Sequence, residues 1–146
     1  MMQKDNKKYI AFVCTGNTCR SPMAEGIFNT LAKDKNLNII AESFGMSTIT
    51  GAPVSEKSVE ACREIDVDIS NLTSTEVNDV QLEKYDEFYC MSQSHARILF
   101  ECYGVPLNKI KILGVSDPYG GNLMIYRECR DEIYNSVKEI IDSYEN

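Results

Sequence analysis

Apolar and polar positions follow two patterns along this chain. Short apolar-rich runs recur at "YIAFVC" (Tyr9–Cys14), "NIIAESF" (Asn38–Phe44), "EFYCM" (Glu87–Met91) and "KIKIL" (Lys109–Leu113), and each predicts a strand. Between them the apolar spacing widens. Met23, Ile27 and Leu31 recur every four residues with Phe28 beside them, which predicts a helix running to about Asp34. Ser21-Pro22 reads as its N-cap and first helical residue. Ser55–Ile65 and Ser94–Tyr103 predict two more helices, the second stopped by Gly104 and Pro106. Ile133, Val137, Ile140, Ile141 and Tyr144 mark one face of a long final helix. Gly45–Pro53 predicts a loop, and "SDPYGG" (Ser116–Gly121) a turn. Asp66–Lys84 is polar and weakly patterned, and predicts loop with a short helix.

Strands alternating with helices imply an α/β sandwich around a parallel sheet. The 146 residues suit one domain, expected to span 1–146, with no repeat, linker or low-complexity segment. No apolar run approaches the ~20 residues of a membrane span, so no membrane contact is expected. The N-terminal "MMQKDNKKYI" has no secretory apolar region behind it, so a cytoplasmic location is expected. In that reducing compartment the six cysteines are read as thiols and not as a disulfide scaffold. The net charge of −7 excludes a nucleic-acid surface and repels anions, so any phosphate site has to attract its ligand locally.

One stretch supplies such a site. In "VCTGNTCRSPMAE" (Val13–Glu25), Cys14 ends the first predicted strand and a helix opens about seven residues later. Ligands of open parallel sheets bind outside the carboxyl ends of the strands. Backbone N–H groups of Thr15, Gly16, Asn17, Thr18, Cys19 and Arg20 therefore converge with a helix N-terminus, which makes an anion site. The loop ends in Cys-Arg-Ser where a Walker-type loop has Gly-Lys-Ser/Thr, so nucleotide binding is disfavoured. Arg20 offers a planar charged fork for two phosphoryl oxygens. Cys14 at the mouth is expected to have a lowered pKa and to attack phosphorus, with Ser21 donating to the sulfur. Singly these residues are ordinary; the ordered set of strand, Cys, five residues, Arg, Ser-Pro and helix is not.

Cleavage of a phosphate ester or phosphoramidate also needs a proton for the leaving group. Asp117, in the turn after the fourth strand, is placed at the same sheet edge. It is expected to act first as acid and then as base toward water, with Pro118 stiffening the turn and Tyr119 walling the entrance. Cys14 and Cys19 are also candidates for a reversible protective disulfide. One histidine and no paired Cys-x-x-Cys give poor support to a zinc site.

Cys-x5-Arg-Ser-Pro together with Asp117-Pro118 resembles the low-molecular-weight protein tyrosine phosphatase family, over about Tyr9 to Ser143. The resemblance implies a four-stranded parallel sheet with flanking helices and the phosphate-binding loop after the first strand. It implies Cys14 as nucleophile, Arg20 as phosphate clamp, Asp117 as acid then base, Asn17 as loop organiser and Ser21 as thiolate stabiliser. It implies no metal and no cofactor, phosphorylated proteins as substrates and inorganic phosphate as product. Thr18, Tyr119-Gly120-Gly121 and "NLMIYRECRDEI" resemble the bacterial protein-arginine phosphatases within that family. A hydroxyl at Thr18 suits a guanidinium or its water, whereas a larger aliphatic group suits an aromatic ring. Strict phosphotyrosine specificity is the alternative.

Phe44, Met46, Asn71 and Ser92 depart from common bacterial family residues and are expected at the pocket rim. An arsenate reductase of the same fold has a similar loop but needs two relay cysteines; Cys90 and Cys102 are candidates, spaced twelve apart. Pro22 favours the phosphatase. A non-catalytic phosphoprotein-binding module has no need for Asp117. His95 reads as an exposed or capping residue, and Cys62, Cys90, Cys102 and Cys129 as core or near-core thiols.

Overall fold

Strand β1 (Lys8–Cys14) is the axis of the fold, because both of its faces are apolar and both are covered. Ile10, Phe12 and Cys14 point to one side and Ala11 and Val13 to the other, as the two-residue repeat of a strand requires. In this computed structural model residues 7–145 are described. Residues 1–6, on which the export-signal reading partly rests, lie outside them, as does residue 146.

β1 pairs in parallel with β2 (Ile39–Gly45) and β3 (Glu87–Cys90), and β3 pairs in parallel with β4 (Ile110–Ile112), giving the order β2-β1-β3-β4. On one face lie α1 (Arg20–Asp34), α2 (Glu56–Arg63) and α4 (Leu123–Glu145), packed together over Ile10 and Phe12. On the other lies α3 (Gln93–Tyr103), with Leu99 seated on Val13, Phe44 and Phe88. Phe12 stands 6.0 Å from the Phe28 ring and 5.6 Å from the Tyr89 ring, so one strand residue ties α1 to β3. A fully buried side chain of this size is worth roughly 1.5–3 kcal/mol of transfer free energy. The sheet's two apolar faces thus fix the end of β1 firmly, and with it the position of Cys14.

The four strands, the four main helices and the three-layer arrangement agree with the sequence reading. Boundaries moved where side chains were wanted elsewhere. Helix α1 begins at Arg20, with Cys19 at its cap and Pro22 in its third position. Proline is tolerated there because the first four N–H groups of a helix have no intrahelical partner. Ser21 is therefore not the cap: its hydroxyl is turned inward. Ser55, by contrast, caps α2 by accepting from the Ser58 N–H. Gly104 ends α3 with φ 70°, the left-handed conformation that glycine adopts without strain. Within 66–84 the structure forms two short 3₁₀ turns, Val77–Asp79 and Leu82–Lys84. Among the described residues no helix is long and apolar enough to cross a membrane.

Candidate active site

The loop between β1 and α1 folds around the Cys14 sulfur. Asn17 adopts φ 55°, a left-handed conformation that asparagine tolerates better than most residues, and this turns its backbone N–H toward Sγ at 3.2 Å. Ser21 Oγ lies 2.8 Å from the same sulfur. The Asn17 side chain holds the loop at three points. Its Nδ2 donates to Ser21 Oγ (2.8 Å) and Ser43 Oγ (2.9 Å), and its Oδ1 accepts from the Thr75 N–H (2.8 Å).

The far side of the loop is braced by β2. Met46 N–H and Ser47 N–H donate to the carbonyls of Cys14 and Thr15, each at 3.0 Å. This requires glycine at position 45, because a Cβ there would lie 2.6 Å from the Thr15 carbonyl oxygen and 3.1 Å from the Asn17 nitrogen.

Arg20 is buried, and its Nη1 donates to the Val115 carbonyl at 3.0 Å. Its Nη2 lies 3.8 Å from Asp117 Oδ2, while Tyr119 N–H donates to Asp117 Oδ1 at 3.0 Å. One guanidinium therefore links the loop after β1 to the turn after β4. Asp117 is half exposed, and Tyr119 stands out at 81% exposure. A pocket of about 250 Å³ is lined by Cys14 to Arg20 together with Asp117 and Tyr119. The residues named from the sequence for catalysis, phosphate binding and specificity, Ser21 excepted, share this wall, and Ser21 supports it from behind. A larger groove, about 470 Å³, opens on the other flank of β2 around Glu25, Glu42 and Tyr85, and holds no cysteine.

The electrostatics correct one expectation. Burial pushes the Cys14 thiol above its ordinary value; the Ser21 hydroxyl, the Ser21 and Asn17 N–H groups and the Arg20 charge pull it back down. Its ionisation thus depends on donors held in place around it, and not on the cysteine and helix end alone. The structure holds Cys14 and Cys19 as thiols, and Cys19 Sγ lies 3.4 Å from the Tyr126 hydroxyl.

His95 is buried, not exposed, and it is the capping residue of the other expectation: with Ser92 it closes a capping box at the start of α3, and it also reaches the loop. Its Nδ1 accepts from the Ser92 N–H at the start of α3 (3.2 Å), so its Nε2 carries the proton and donates to Thr15 Oγ1 (2.8 Å). Burial and the Arg20 charge push its pKa down to about 4, so it stays neutral at assay pH. It is a brace between α3 and the loop. Neither this tie nor Thr75 and Gly45 carried a signal in the sequence, because each is brought to the loop from another element.

The expected rim residues lie elsewhere. Phe44 is buried against Tyr85 and Phe88, Ser92 opens α3, and Met46 and Asn71 do not line the pocket. Cys62, Cys90 and Cys129 are buried, but Cys102 is exposed.

Residues 9–145 match the family model for low molecular weight phosphotyrosine protein phosphatase. A protein-arginine-phosphatase of Bacillus subtilis is 31% identical over 140 residues, covering 90% of this chain and 93% of that one. An arsenate reductase of Staphylococcus aureus is 38% identical over 134 residues, covering 90% and 95%. The solved structure of a low molecular weight protein tyrosine phosphatase from T. tengcongensis superposes with a TM-score of 0.89 at 35% identity, covering 94% and 99%.

Proposed function

The chain belongs to the low molecular weight phosphotyrosine protein phosphatase family, and within it we propose that this member hydrolyses phosphoarginine on proteins through a phosphocysteine intermediate. The observation that carries the arginine preference is Thr18, whose residue lines the same pocket as Cys14, Asp117 and Tyr119. The similarity to the Bacillus arginine phosphatase supports it.

The N–H groups of the loop and the Arg20 fork hold the phosphoryl oxygens. Cys14 Sγ attacks phosphorus in line, forming the S–P bond as the P–N bond breaks. Asp117 gives its proton to the departing guanidine nitrogen. The resulting carboxylate takes a proton from water, whose oxygen attacks the phosphocysteine. Inorganic phosphate leaves and the thiolate is restored. Thr18 offers the incoming guanidinium a hydroxyl.

Initial rates on phosphoarginine and phosphotyrosine peptides test the preference. Wild type should favour phosphoarginine, and Thr18→Ile should shift the ratio of kcat/KM toward phosphotyrosine by about 10- to 100-fold, the scale of one changed pocket group. A wild type inactive on phosphoarginine, or a ratio untouched by the substitution, removes the arginine reading and leaves a tyrosine phosphatase.

The similarity to arsenate reductases favours a second reading. A reductase must relay a disulfide outward from the nucleophile. Cys90 is fully buried in β3, and burial pushes its thiol up to about 12. Cys102 is seven residues beyond the loop-facing His95 on α3, roughly 10 Å further along the helix axis, and faces solvent. A buried Cys90 and a distant Cys102 weigh against a relay and support the phosphatase reading. A Cys90→Ser/Cys102→Ser variant should retain phosphatase turnover and show no arsenate reduction.

Gly45 provides a test of the loop itself. Gly45→Ala must displace loop backbone, because the groups nearest its Cβ are main-chain atoms. A misplacement near 1 Å can cost about 100-fold in rate, so kcat on p-nitrophenyl phosphate should fall by about that factor. An unchanged kcat would show that the strand does not press on the loop.

A further inference from the structure

Behind the pocket, hydrogen bonds lead from the Cys14 sulfur to a carboxylate that faces the larger groove. Ser43 Oγ donates to Glu25 Oε1 at 2.5 Å. Ser43 has one hydrogen, and Glu25 takes it, so Ser43 can meet Asn17 only as an acceptor. Asn17 Nδ2, a donor only, gives one hydrogen to Ser43 (2.9 Å) and the other to Ser21 (2.8 Å). Ser21 is then an acceptor on that side, which leaves its own hydrogen for Cys14 Sγ at 2.8 Å. Asn17 fixes its own two donations, because its Oδ1 is held by the Thr75 N–H and its nitrogen has no lone pair to offer; what Glu25 fixes is the free Ser43 lone pair that receives one of them. Glu25 sets the Ser43 end, because an ionised carboxylate can only accept.

We propose that Glu25 is a positioning residue of this phosphatase: by holding the Ser43 hydrogen away from Asn17, it keeps the Asn17 amide seated, and with it the Asn17 and Ser21 donors aimed at Cys14 and the sulfur ready to ionise. The proposal rests on the reading of Cys14 as nucleophile. Without the Glu25 acceptor the Ser43 hydroxyl rotates, and its hydrogen competes with that of Asn17 for one gap. The Asn17 amide then loses a restraint, and the same residue's backbone N–H is the second donor to the sulfur. Charge-assisted bonds of this kind are about twice as strong as neutral ones.

The surroundings set the assay conditions. Burial pushes Glu25 up to about 7, helped by Glu42 across the groove. Glu42 is itself paired with Lys84 Nζ (2.8 Å) and the Tyr85 hydroxyl (2.6 Å). Asp79 lines the same groove, and Lys33 and Asp68 line the opposite side of Glu25. Measurements at pH 8 therefore start from the carboxylate.

The test is the pH-dependent rate of Cys14 alkylation by iodoacetamide, read on the Cys14 peptide by mass spectrometry. It is run beside kcat and KM on p-nitrophenyl phosphate and the thermal midpoint. Glu25→Ala should slow alkylation at pH 8 and lower kcat about tenfold with KM nearly unchanged, the scale of one hydrogen bond to a charged group. Glu25→Gln, whose carbonyl still accepts from Ser43, should restore most of both. Ser43→Ala should match Glu25→Ala, and the double variant should be no worse. Wild-type alkylation and kcat in Glu25→Ala overturn the proposal, as does a Glu25→Gln as impaired as the alanine. If Glu25→Ala does not fold, Ser43→Ala decides: normal alkylation there overturns it. Alkylation reads the sulfur without turnover, so this outcome is distinct from failure of the nucleophile assignment, which Cys14→Ser settles.

Discussion

Cys14→Ser should abolish turnover, lowering kcat on p-nitrophenyl phosphate and on phosphopeptides by about 10⁴-fold or more, as loss of a covalent nucleophile does. The substitution changes one atom and leaves the site's shape intact. Asn17 and Ser21 still point at it, and Arg20 still faces the pocket. Those donors hold a thiolate but cannot ionise an alcohol, whose pKa lies far higher. Serine needs an adjacent base, and the site does not provide one. Both nitrogens of the neutral His95 are engaged, by Thr15 and by Ser92. In the proposed mechanism Asp117 serves the leaving group on the other side of phosphorus. Binding should survive, with the Kd for phosphate changed by no more than a few fold. Residual turnover above about 1% would mean that the covalent route is wrong.

The fold is readable because the strands are buried on both faces and the helices on one, so the two spacings are written into the apolar residues. Phe12, Val13 and Leu99 can be placed without coordinates. The chemical core of the site is readable for another reason: Cys14 and Arg20 belong to one loop, and local sequence order fixes their relation. What stays hidden comes from afar. Thr75 and Ser43 reach Asn17 from 58 and 26 residues away, and His95 reaches Thr15 from 80. Each is a polar residue of ordinary type, and only the sheet order brings them to one point. Ser21 reads as a cap because its preference for helix starts coincides with a second demand, that of the sulfur. A motif overstates the lowering of the Cys14 pKa, because helix-end and charge effects can be read from it while full burial of the sulfur cannot.

Asp117→Asn should show a loss that depends on the leaving group. The variant keeps an oxygen to accept from Tyr119 N–H, so the turn should hold its shape. The 3.8 Å contact with Arg20 involves a half-exposed carboxylate, and such pairs contribute at most about 1 kcal/mol. The thermal midpoint should therefore move little. Only the proton is lost. A guanidine nitrogen leaves poorly without one, and kcat on phosphoarginine peptides should fall by about 10²- to 10⁴-fold, the span of general acid catalysis. p-Nitrophenolate leaves well as an anion, so the first step on p-nitrophenyl phosphate should be much less affected. The second step then becomes limiting, because the side-chain amide of the variant cannot take a proton from water. Phosphocysteine should accumulate on the enzyme, visible as a burst of nitrophenolate and as a phosphorylated Cys14 peptide in acid-quenched samples. Equal losses on both substrates with no burst would place Asp117 in binding alone and leave the proton to be supplied from elsewhere.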